Sequence, residues 1–157
     1  MRNIFVRRAH YPQPLPSSSG GSGTVKRFAS APASLVNLGP SSGFVSIQTL
    51  SFTVGSTSDG VDIEGWVDCI ASYNSPAMYN VDIELLVDGV QERTFKQFLP
   101  TDGTDNTMSF FLYITAALSG LASGAHTAEI RMRQNLANVG VNIIAEDGQL
   151  RTLVYTA

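Results

Sequence analysis

Tyr79, Val81, Ile83, Leu85 and Val87 occupy every second position, with Asn80, Asp82 and Glu84 between them, and the row ends at Asp88-Gly89. A period of two sends alternate side chains to opposite faces of an extended strand. Asp-Gly at its end is a two-residue hairpin signal. The chain is therefore expected to turn at Asp88-Gly89 and return through Gln91–Leu99, with Phe95 inward and Asp82, Glu84 and Asp88 in solvent.

The same period recurs along most of the chain. Val61, Ile63, Val67 and Cys69 share one face, opposite Asp62, Glu64, Trp66 and Asp68. Met108, Phe110, Leu112 and Ile114 alternate with Phe111 and Tyr113, and Ala128, Ile130 and Met132 with Thr127, Glu129, Arg131 and Arg133. Over Phe44–Val54 the parity changes between Val45/Ile47 and Leu50/Phe52/Val54, which a bulge near Gln48-Thr49 would reconcile. Val139–Ile144 and Gln149–Tyr155 read as two further strands joined at Asp147-Gly148. Only Ala116–Ala122 tolerates a helix, and Gly120 and Gly124 make it a loop. About eight or nine strands without a convincing helix define an all-β chain, expected to form a jelly-roll-like β-sandwich. Apolar residues make up 43% of the 157, enough for one core.

Charge divides the chain in two. Arg2, Arg7, Arg8, Lys26 and Arg27 precede the first acid, Asp59. All 13 acids then follow against five bases, so the two segments carry +5 and −8. Residues 1–43 hold five of the seven prolines and the flexible run Ser17–Gly23. They are expected to form an extended basic arm and linker, dispensable for folding, before a sandwich domain at 44–157. Thr24 to Leu38 is mildly apolar and could add an edge strand. A solvated tail is the alternative to an arm that orders on a partner. Ile4, Phe5, Val6 and Tyr11 favour the arm, because tails seldom carry such residues. An acidic partner surface is expected for Arg2, Ile4, Phe5, Arg7, Arg8, Tyr11, Lys26 and Arg27. Five bases over 27 residues are sparse for nucleic acid, and the acidic body repels phosphate.

No catalytic centre is expected. His126 heads a strand and is read as a packing or hydrogen-bonding residue; His10 lies in the arm. Two histidines and one buried cysteine, Cys69, assemble neither a nucleophilic triad nor a zinc set. Asp62, Glu64 and Asp68, and likewise Asp82 and Glu84, are read as solvated acidic faces rather than a glycosidase pair. Asp102, Asp105 and Asn106 lack the spacing of a calcium loop. No cofactor and no metal are expected. A lone cysteine gives no disulfide framework, and Arg7 and Arg8 interrupt any secretory apolar run, so the protein is expected to be soluble and made in the cytoplasm, with no membrane partner. Trp66 falls on the polar face, where it would anchor an interface, unless a bulge at Gly65 turns it inward. Phe111 and Tyr113 also point away from the core row, as expected of an oligomer interface.

The run Leu118-Ser119-Gly120-Leu121-Ala122-Ser123-Gly124-Ala125-His126-Thr127, followed by the alternating strand Ala128–Arg133 and the closing strand Leu150–Tyr155, resembles the last strands of jelly-roll domains in tailed-phage virion proteins. These include head decoration (cement) proteins, head fibres and tail-fibre tips; trimeric jelly rolls of the tumour-necrosis-factor type look similar. The resemblance covers roughly residues 107–157. It implies a homotrimer on a capsid exterior, bound to a major capsid protein and held partly by N-terminal arms, made in the host cytoplasm. A receptor- or carbohydrate-binding fibre tip is the alternative it leaves open.

Overall fold

The computed structural model describes residues 25–32, 36–38, 43–73, 78–100, 107–134 and 141–156. Nine strands run through them: β1 (Val25–Pro32), β2 (Val36–Leu38), β3 (Val45–Val54), β4 (Asp59–Tyr73), β5 (Met78–Val87), β6 (Val90–Pro100), β7 (Thr107–Ser119), β8 (Gly124–Gln134) and β9 (Val141–Thr156). One sheet has the order β1-β9-β4-β7, with β2 also on β9; the other has the order β3-β8-β5-β6. Each named pair is antiparallel. The pairs β1/β9, β3/β8, β4/β7 and β5/β6 nest inside one another along the sequence. A long antiparallel ribbon wound into two facing sheets has this nesting, and it defines the jelly roll. The protein is an all-β jelly-roll sandwich.

The alternating rows supply the core. Ile63, Val67, Leu112, Ile114, Ile143 and Leu150 from one sheet meet Ile47, Phe52, Ile83, Leu85, Ile130 and Met132 from the other. Gly65 faces inward in its row, and a Cβ there would lie 2.1 Å from Ile130 Cδ1. The glycine thus lets the facing sheet's isoleucine close against β4. No register shift occurs at Gly65, so Trp66 stays on the outer face. The parity change in β3 is resolved by a bulge between Ser46 and Gln48, which brings both Ile47 and Leu50 into the core.

Four expectations change. Asp147-Gly148 is not a joint between strands: β9 runs unbroken past it, and Glu146 is the extra residue of a bulge opposite Asp68/Cys69. Continuous pairing with β4 holds both halves in line. Ala116–Ser119 is not loop but the end of β7, paired with Ile63–Gly60. Phe95 is 44% exposed because β6 is an edge strand, although it pairs with buried Ile83. Finally, the sandwich does not begin at residue 44. β1 and β2 pair with opposite halves of β9, and Leu38 is fully buried. The backbone of Lys26 and Arg27 therefore belongs to a sheet edge. Arg2, Ile4, Phe5, Arg7, Arg8, Tyr11 and the 101–106 loop lie outside the described residues.

Candidate functional site

The outer face of the five-stranded sheet brings Trp66, Phe111 and Tyr113 together. In the β4/β7 ladder Trp66 pairs with Tyr113 and Asp68 with Phe111. This makes Trp66 and Phe111 diagonal neighbours, and their rings stack at 5.9 Å with 25° between planes. Diagonal aromatic contacts of this kind are a normal source of sheet stability. The patch still leaves Phe111 42% and Tyr113 38% exposed, more than stacking alone conceals.

A polar network borders the patch across three strands. The Tyr113 hydroxyl donates to Glu64 Oε2 at 3.2 Å. Arg151 Nη1 lies 3.2 Å from Glu64 Oε1, and Arg151 Nε donates to Gln149 Oε1 at 2.7 Å. Partial burial and the Glu64 carboxylate push the Tyr113 hydroxyl pKa up. On the other side Asp68 pairs directly with Asp147 across the ladder. Burial, and then the Asp147 charge, raise the Asp68 pKa. Like charges directly opposite on antiparallel strands destabilise, and only Asp147 is offset locally, its Oδ1 accepting from Gly148 N at 2.7 Å. Cys69, on the inner face behind it, is buried; desolvation and the charges of Asp68 and Glu146 push its thiol up to about 12. Such a thiol is inert as a nucleophile near neutrality.

The outer face of the other sheet differs from the expected solvated carboxylates. Asp82 and Glu84 are 2% and 7% exposed. Arg133 meets Asp82 at 2.9 Å, Lys96 stands 3.9 Å from it, and Arg131 meets Glu84 at 3.1 Å. Phe44 lies under both guanidiniums, 4.4 Å from Arg133 and 5.5 Å from Arg131. Neighbouring strands set these acids against bases, which alternation within β5 alone does not reveal. These ion pairs tie β5 to β6 and β8.

His126 ties two turns and strand β3 together at one end of the sandwich. Asp88 and Gly89 have φ of 51° and 80°, the hairpin geometry expected of Asp-Gly. Asp88 Oδ1 accepts from Thr127 N at 2.9 Å, and Oδ2 lies 2.6 Å from His126 Nδ1. His126 Nε2 meets the Ala122 carbonyl at 2.8 Å, and the ring stacks on Phe52 at 5.5 Å. Both ring nitrogens thus face acceptors, which favours the imidazolium and raises its pKa; the same hydrogen bond lowers that of Asp88. The histidine is a clasp between the β5/β6 and β7/β8 turns. Among the described residues no group of three or more His, Cys, Asp or Glu is placed to hold a metal ion.

No protein-family model and no curated protein matches the chain. Several solved structures are distantly similar to it. The EclA C-terminal domain, a sugar-binding protein, is 15% identical with a TM-score of 0.40, covering 76% of this chain and 77% of that one. The infectious bursal disease virus Gx strain structure is 10% identical with a TM-score of 0.43, covering 83% of this chain and 33% of that one. Dimeric latent PorU from Porphyromonas gingivalis is 12% identical with a TM-score of 0.40; the chain spans only 14% of its length. Likeness at this level concerns fold and leaves function to the residues.

Proposed function

We propose that the protein is a structural virion component: a homotrimeric decoration or cement protein that attaches to the outside of a capsid. The observation that carries this reading is the aromatic cluster on one sheet face of a jelly roll, with Phe111 and Tyr113 exposed and Trp66 half-buried beside them. An apolar, aromatic patch bordered by charge is a surface made for burial against another chain. The basic N-terminal segment supports the same reading, since it has no acids of its own and suits an acidic partner. The body would cover a seam between capsid subunits while the segment preceding β1 reaches over a neighbour. The mechanism is adhesion, with no bond made or broken.

The reading is tested by co-sedimentation with capsids of the virus that encodes the protein. The full chain should pellet with them, and Arg2→Gln/Arg7→Gln/Arg8→Gln should weaken binding and flatten its salt dependence, because exposed attraction is screened within about 8 Å at physiological ionic strength. Equal binding by the variant would remove the arginines from attachment; no binding by either would overturn the decoration role. A second reading, a carbohydrate-binding tip, draws on Trp66 lying among Glu64, Gln149 and Arg151, a stacking ring beside hydrogen-bonding groups. Saturable binding on a glycan array, abolished by Trp66→Ala, would favour it over decoration.

A further inference from the structure

The aromatic face presents a charge problem for any oligomer built on it. Among the described side chains of β4, β7 and β9 it carries Asp62, Glu64, Asp68 and Asp147 against Arg151. Arg151 is engaged by Glu64, and among the described residues no basic side chain is ion-paired to Asp68 or Asp147. Two copies packed through this face about a two-fold axis would set carboxylates against carboxylates. The partner that fits is an extended segment interleaving cations with apolar side chains. Guanidinium groups stack on aromatic faces and pair with carboxylates in one geometry.

The chain contains such a segment. Residues 2–11 hold Arg2, Arg7 and Arg8 with Ile4, Phe5, Val6 and Tyr11, and no acid. β1 begins with Val25 opposite Tyr155 and ends with Pro32 opposite Gln149, the residue that also pairs with Trp66, so Val25 stands at the end of the strand away from its own Trp66 row. The 13 residues 12–24 span up to roughly 43 Å when extended, ample for a second copy whose five-stranded sheet, four strands across because β1 and β2 share one edge of β9, is about 19 Å wide.

We infer that Arg2–Tyr11 of one copy docks on the outer face of the five-stranded sheet of another, its arginines over Trp66 and Phe111 and against Asp68 and Asp147. This rests on the oligomeric reading above and names the contact that makes the oligomer. It resolves the like-charge pair, because Asp68 and Asp147 are then two acceptors for a partner's guanidinium.

Trp66 is the only tryptophan, so its emission reports occupancy of the face. The full chain, Arg2→Gln/Arg7→Gln/Arg8→Gln and Asp68→Asn/Asp147→Asn would be followed by Trp66 emission and sedimentation equilibrium across concentration. Emission of the wild type should change as it associates. Both variants should associate more weakly, on the order of tenfold. A synthetic peptide of residues 1–11 should restore the change saturably in the arginine variant, whose substitutions lie outside the described residues. The response should fade in about 1 M salt, where screening shortens to about 3 Å. An Asp68→Asn/Asp147→Asn/Arg2→Gln/Arg7→Gln/Arg8→Gln chain should not respond. Association unchanged in both variants would overturn this docking while leaving the oligomer standing. A monomer whose Trp66 signal depends on the arginines at all concentrations would place the segment on its own face and overturn exchange between copies. A monomer with no such signal would overturn both readings.

Discussion

At the scale of single residues, His126 gives the sharpest consequence. Its two hydrogen bonds are both made only by the imidazolium, and its folded pKa is raised above the ordinary 6.5. The stabilisation it contributes is complete below pH 6.5 and is lost as pH rises through the raised folded value. Asp88 behaves oppositely: its pKa is lowered from 3.8, so its contribution is present above pH 3.8 and lost as pH falls through the lowered value. The clasp is therefore strongest between those limits. Near pH 5.5, His126→Ala should destabilise by about 1–2 kcal/mol, the lower part of the range for charged hydrogen bonds, because Asp88 is half exposed. Denaturant titrations should show the gap from wild type shrinking as pH rises from 6.5 through the raised folded value. A gap that widens with pH would mean that the neutral ring carries the contact. The sequence allowed His126 a hydrogen-bonding role but not this partner, since Asp88 lies 38 positions away and only the β5/β8 ladder brings the two together.

At the scale of elements, alternation located the central strands well because each strand's burial pattern is local to it. It did less well where a neighbour decides. β9 continues through Asp147-Gly148 because β4 pairs along its whole length, so a turn signal became a bulge. Asp82 and Glu84 read as solvated because the opposing Arg131, Arg133 and Lys96 belong to other strands. Thr24–Leu38 was legible as a candidate edge strand, but its partner was not: both β1 and β2 pair with the distant β9. A chain beginning at Pro40 loses that edge pairing and the fully buried Leu38. It should be less stable by about 3 kcal/mol or more, since removing a large core side chain alone costs about 2–5 kcal/mol. Thermal denaturation against a chain beginning at Gly23 checks this; identical transitions would show β1 and β2 to be dispensable.

At the scale of the whole molecule, a jelly roll of this topology has two outer faces with opposite solutions to exposure. One is closed by its own ion pairs, Asp82 with Arg133 and Glu84 with Arg131. The other is left open, aromatic and acidic. Phe111 and Tyr113 were legible as facing outward from parity alone; Trp66 was left open until the unshifted register at Gly65 settled it. Their clustering was not, because it depends on the β4/β7 register, nor was the Asp68–Asp147 pair, which depends on the Glu146 bulge. The central claim is that the open face is an interface between chains. Sedimentation equilibrium of the full chain and of Phe111→Ser/Tyr113→Ser, at micromolar concentration and without capsids, tests it most directly. The wild type should have the mass of a trimer, about three times 16.8 kDa. The variant should be a monomer with its strand content intact, because both rings lie outside the core. A monomeric wild type, or a variant that keeps the wild-type mass, would contradict the claim.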